Sequence, residues 1–140
     1  DDGDECPIYA VMPALMHFAE CSNGNYDMAL VDIHAEATSE KIAMGRYLDG
    51  RVSAVFGTHT HVQTADAQIL PEGTGYITDL GMTGVINSVL GVKNDIIINR
   101  LKSGVMSRFE QASGECMING CIFDIDDKTG LTKSVKLINK

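Results

Sequence analysis

The feature that most constrains this chain is a strand–helix–strand pattern between residues 28 and 56. Met28-Ala29-Leu30-Val31-Asp32-Ile33-His34 is an apolar run that ends at a histidine. Thr38 or Ser39 then offers an N-cap, and Glu40 stands in the first turn, where the helix dipole favours a carboxylate. Met44, Tyr47 and Leu48 recur at helical spacing and predict a stripe packed on a sheet. Gly50 supplies the stop. Val52-Ser53-Ala54-Val55-Phe56 is the second apolar run. Such a unit makes its strands parallel, joined by a right-handed crossover, and the fold class is α/β. Both strands then end at the same edge, where open α/β sheets place their ligands.

That edge collects histidines. His34 ends the first run, and Gly57-Thr58-His59-Thr60-His61-Val62-Gln63-Thr64 follows the second. On an extended backbone, residues two apart share a face. Extension past Gly57 would therefore aim His59 and His61 at one place, where an ion or an adjacent pair of ions could sit. A lone histidine at a strand end is more often a hydrogen-bonded surface or core residue. Three of the four histidines at two neighbouring strand ends make a stronger signal. Imidazole serves zinc, iron, manganese and nickel, so the residues do not choose the metal. Asp32 and Glu36 flank His34 and are candidate partners that hold its ring, with a solvated or capping carboxylate as the alternative for each.

Elsewhere the sequence predicts a short strand at 6–12, a helix at 13–20 opened by Pro13, and a turn at 22–25. His17 lies in that helix and is assigned a structural or surface role. Short strands are expected at 67–70 and 76–78, around a turn at 71–75. Residues 79–84 form a loop with two glycines, able to approach a phosphate but followed by no Walker-type lysine. A helix is expected over 94–103, despite Ile96-Ile97-Ile98. From Arg108 the chain reads as antiparallel β, with strands at 117–126 and 131–138 around the turn Asp127-Lys128-Thr129-Gly130.

The 140 residues suffice for one domain, with 44% apolar and 21% charged residues, as in a globular domain with a real core. A net charge of −8 argues against a groove for a nucleic-acid polymer, but not against a small phosphorylated substrate. Cys6, Cys21, Cys116 and Cys121 contain no Cys-x-x-Cys pair and are expected to be free, mostly buried thiols. On one regular strand, Cys116 and Cys121 would point to opposite faces. No transmembrane run or signal peptide is visible, which predicts a cytoplasmic protein that does not engage membranes. The opening Asp1-Asp2-Gly3-Asp4-Glu5 suggests a trimmed chain or a fragment.

Four stretches carry a resemblance: His34-Ala35-Glu36-Ala37-Thr38-Ser39-Glu40-Lys41, Leu48 to Val55, Gly57 to Asp66, and Tyr76-Ile77-Thr78-Asp79-Leu80-Gly81-Met82-Thr83-Gly84. Together they resemble the bacterial YmdB-like metallophosphoesterases, dinuclear-metal phosphodiesterases that include 2′,3′-cyclic-nucleotide 2′-phosphodiesterases. The resemblance runs from about Val11 to the C-terminus and covers only the second half of the family's usual length. It implies that residues 1–140 are the C-terminal portion of a single metallophosphoesterase domain. The implied fold is part of a four-layer αββα sandwich, with a parallel βαβ portion and a C-terminal antiparallel hairpin.

The resemblance further implies that His34, His59 and His61 are metal ligands, the first two on one ion and the third on another. The cofactors would be two divalent ions, iron or manganese ahead of zinc. The substrate would be a small phosphodiester, a cyclic nucleotide of the 2′,3′ type. The family's remaining ligands and its histidine proton donor lie in its N-terminal half, so no catalytic acid is assigned. The expected partner is that N-terminal half or a second copy, and the chain alone is expected to be a poor phosphodiesterase. Two alternatives stand beside this: a non-catalytic metal-binding or assembly fragment, and a different His-x-His hydrolase of the amidohydrolase type.

Overall fold

The structure, a computed structural model, describes residues 26–140. The strand expected at 6–12, the helix with His17, Cys6 and Cys21 lie outside the described residues. Strand β1 spans Leu30–His34, helix α1 Thr38–Leu48 and strand β2 Ala54–Thr58. β1 and β2 pair in parallel, with Leu30 opposite Ala54 and His34 opposite Thr58, so the βαβ unit forms as expected. β2 continues two residues past its apolar run, because Gly57 and Thr58 stay in register with Ile33 and His34.

Two short strands complete this sheet. β4, Gly75–Ile77, runs parallel to β2, and β3, Gln68–Ile69, pairs antiparallel on β4. The order is β1-β2-β4-β3. Helix α1 covers one face, where Met44, Leu48, Val52, Val55, Leu70 and Tyr76 form the core cluster. Gly45 lets the Tyr76 ring lie flush against the helix; a Cβ there would collide with the ring. The N-cap residue is Ala37, not Thr38 or Ser39, and no side chain caps the helix. The helix begins at Thr38, which places both hydroxyl residues inside the first turn. At the other end Gly50 adopts φ 74°, a left-handed conformation that carries the chain out of the helix. Its amide donates to Thr74 Oγ1 at 2.8 Å.

The opposite face of the sheet carries a hairpin. β7, Asn119–Ile125, pairs antiparallel with β8, Thr132–Asn139. Phe123 stacks on Phe56 with ring centroids 6.4 Å apart, and Thr132 Oγ1 donates to Ser53 O at 2.7 Å. Helix, sheet and hairpin are therefore three successive layers. The hairpin turns at Asp126, whose Oδ1 accepts from the Lys128 amide at 2.8 Å.

A smaller ladder pairs β5, Gly84–Val85, with β6, Cys116–Met117. Between them α2, Asn94–Ser103, lies on the surface with none of its residues buried. The single strand expected over 117–126 is divided at Ile118, because β6 pairs with β5 and β7 with β8. Cys116 and Cys121 therefore sit on different strands. Both are free, but Cys116 is exposed and Cys121 half-buried, contrary to the expected burial. Among the described residues, no helix is long and apolar enough to cross a membrane.

Candidate active site

His34 closes β1 and Thr58 closes β2, and the parallel register sets them side by side. The Thr58 hydroxyl donates to Asp32 Oδ1 at 3.1 Å and lies 3.0 Å from His34 Nδ1. The one hydroxyl proton goes to the carboxylate, so Thr58 Oγ1 accepts from His34 Nδ1–H. That assignment leaves a lone pair on His34 Nε2. Asp32 thus holds the His34 ring indirectly, through Thr58.

His59 meets the same place from the loop after β2. Its Nδ1 lies 3.2 Å from His34 Nε2, and the two rings meet edge to face at a centroid distance of 4.9 Å. Its other nitrogen, Nε2, pairs with the Glu36 carboxylate. A carboxylate only accepts, so Nε2 carries a proton, and in the neutral ring Nδ1 presents a lone pair. With both rings neutral, two ring lone pairs face each other across the 3.2 Å gap; one added proton makes the same contact a hydrogen bond. Glu36 itself sits on the far side of His59.

The backbone does not stay extended past Gly57. His59 takes φ 111° and His61 φ 65°, both in the region disfavoured for side-chain-bearing residues. Such conformations cost about 1–3 kcal/mol each and persist only where the surroundings enforce them. The turns send His59 back toward His34, while His61 is exposed and lines a cleft of about 330 Å³ with Met82 and Met117. His34 and His59 do not line that cleft. Among the described residues, no group of three or more His, Cys, Asp or Glu side chains is gathered as a metal ion would require.

What enforces the loop is buried beneath it. Lys41 and Asp79 form an ion pair at 3.0 Å. Lys41 Nζ also donates to Thr58 O at 3.1 Å, and Asp79 Oδ2 accepts from the Thr60 amide at 2.9 Å. The pair therefore grips the backbone on both sides of His59. Burial pushes the Asp79 carboxyl up, but the amides of Gly81 and Thr60 together with Lys41 outweigh it and hold its pKa below the usual range. Asp66 behaves alike: burial raises it, while hydrogen bonds from Thr64 and Thr78 bring it lower. The Gln63 side-chain amide bonds the carbonyls of Leu80, Gly120 and Ile138 and ties the loop to the hairpin.

Sequence reasoning missed Lys41, Thr58, Gln63 and Asp79. Lys41 carried a usable signal: it stands three residues before Met44 and seven before Leu48, on the stripe that faces the sheet. A lysine there needs a buried carboxylate.

The family model described as YmdB-like protein matches residues 3–138. The 2′,3′-cyclic-nucleotide 2′-phosphodiesterase of Bacillus subtilis (strain 168) is 56% identical over 107 residues, covering 76% of this chain and 40% of that protein. A crystal structure described as a novel phosphatase from Mycoplasma pneumoniae superposes with a TM-score of 0.85 at 36% identity, covering 91% of this chain and 45% of that one. A hypothetical protein from Thermus thermophilus superposes with a TM-score of 0.83 at 39% identity, covering 96% of this chain and 50% of that one. The chain thus spans half or less of the length of each of these relatives.

Proposed function

This chain belongs to the YmdB-like protein family, and on that premise we propose that it forms part of a phosphodiesterase that hydrolyses 2′,3′-cyclic nucleotides at a dinuclear metal centre. One observation carries the reading: His34 Nε2 and His59 Nδ1 face each other 3.2 Å apart, while the other nitrogen of each ring is held by Thr58 or Glu36. Two nitrogen ligands of one ion stand roughly 3.0–3.4 Å apart when each bond is near 2.1 Å. Facing lone pairs repel unless a cation lies between them, so the donor set suits a metal. Iron or manganese is the proposed occupant, and His61 is assigned to a second ion. When bound, the ions supply an activated water and polarise the phosphoryl oxygens.

The protein's own groups do the positioning. Asp32 through Thr58 fixes the His34 tautomer, Glu36 fixes that of His59, and the Lys41–Asp79 pair fixes the loop between them. The ligands that the described residues lack are proposed to come from outside them, from the rest of the protein or from a second copy. The whole enzyme is proposed to act in the cytoplasm.

The test is metal analysis and turnover. The naturally encoded protein, loaded with manganese or iron(II), is expected to hold two ions and to hydrolyse a 2′,3′-cyclic nucleotide, and His34→Ala and His59→Ala are expected to lose both. Full turnover in His59→Ala would overturn the assignment. A second reading, a metal-binding or assembly piece without turnover, is favoured by the lack of a third gathered ligand among the described residues. It predicts metal binding with no hydrolysis.

A further inference from the structure

We propose that the cleft beside His61 is the subsite for the nucleobase of a cyclic-nucleotide substrate, its amide oxygens reading the amino-bearing edge of the base. The inference rests on the phosphodiesterase reading above and names what that reading leaves open. The cleft's volume, about 330 Å³, lies at the lower end of the range of small-molecule sites, roughly 300–1,000 Å³. His61 lines it, and the reading above assigns His61 to the second ion, so a substrate held at that ion stands at the cleft. Met82, Ile86, Leu90 and Met117 supply apolar lining, and thioether sulfur makes favourable contacts with aromatic rings.

The polar groups of the cleft are already half committed. The Gln63 side-chain nitrogen is spent on three backbone carbonyls. The Asn119 nitrogen donates to Met82 O at 2.9 Å, and the Asn139 nitrogen to Asn119 Oδ1 at 2.6 Å. With these nitrogens committed to carbonyl partners, the groups that Gln63 and Asn139 have left for an occupant are acceptor oxygens. Carbonyl oxygens accept from the exocyclic amino groups of adenine, guanine and cytosine, whereas uracil offers them only its N3–H, flanked by two repelling carbonyls. The subsite therefore favours adenine, guanine or cytosine over uracil.

The test compares the naturally encoded protein with Met117→Trp, at the end of β6, and Ile86→Trp, just after β5, which fill the cleft from two sides; Ile86 is half exposed. Turnover of 2′,3′-cyclic AMP is measured beside that of glycerol 1,2-cyclic phosphate, which has no base. The expected result is a fall of about tenfold or more in the ratio of the two kcat/KM values, the scale at which a pocket contact discriminates. A ratio that stays put in both variants would overturn the proposal. Calorimetry with adenosine 3′-phosphate and glycerol 3-phosphate gives a readout independent of turnover. Equal affinity for the two compounds overturns the cleft assignment, and tighter nucleotide binding that either tryptophan weakens supports it. A wild-type protein that binds the nucleotide in this way but hydrolyses neither diester would sink the phosphodiesterase reading alone.

Discussion

Lys41 and Asp79 form an ion pair at 3.0 Å with each side chain 1% exposed, directly beneath the loop that carries His59. Removing one partner leaves the other charge buried and unpaired, which costs about 3–5 kcal/mol. Lys41→Met is therefore expected to lose that much stability in urea denaturation. A loss under about 1 kcal/mol, the value of an exposed pair, would show that the ion pair does not lock the loop.

Acid is expected to undo the same region. Asp79 and Asp66 both titrate below the usual carboxylate range in the folded protein. Unfolded aspartate titrates near about 3.9, so between the two pKa values the unfolded chain binds more protons and stability rises with pH. The contribution is complete above the unfolded value and fades as pH falls through the folded ones. Urea midpoints measured from pH 3 to pH 7 should fall below about pH 4. The fall should be shallower in Asp66→Asn; an identical slope would refute the assignment.

Gly57 is fixed by sterics, not by φ. A Cβ there would collide with the Thr78 carbonyl and stand 2.7 Å from Lys41 Cδ. Gly57→Ala is expected to cost about 1–3 kcal/mol as overpacking. Gly120, with nothing within 4 Å of an added Cβ, is the matched control. Gly120→Ala should change stability by less than about 0.5 kcal/mol. Equal effects at the two positions in thermal unfolding would contradict this packing.

The βαβ unit, the hairpin and the helix over Asn94–Ser103 were legible because each is local: periodicity, Gly50 and the Asp-Gly turn act within a few residues. The fate of the histidines was not. Alternation predicted that His59 and His61 share a face, but their positive φ values reflect Lys41, Thr78 and Asp79, which lie far from them in sequence. The thiol burial failed for a related reason, since the partner change at Ile118 is set by β5 and β8 and not by the strand's own pattern. Parallel strands ending at one edge were legible, and the register sets His34 opposite Thr58; the turn at His59 then brings the two rings together.

Thr58 reads as a spacer in sequence and acts as a relay in the fold. Its hydroxyl donates to Asp32 and accepts from His34 Nδ1, which keeps His34 Nε2 free to bind a cation. Valine has nearly the same shape but neither function, so Thr58→Val should leave the sheet intact while releasing the His34 tautomer. Loss of a group that orients a metal-ligating histidine weakens metal affinity about 10–100-fold. Manganese titration by calorimetry, beside a circular dichroism melt, separates this from simple unfolding. Unchanged affinity in a folded Thr58→Val protein would mean that Asp32 and Thr58 do not set the imidazole. Asp32→Ala should then be silent as well, whereas a working relay predicts weakened binding in both variants.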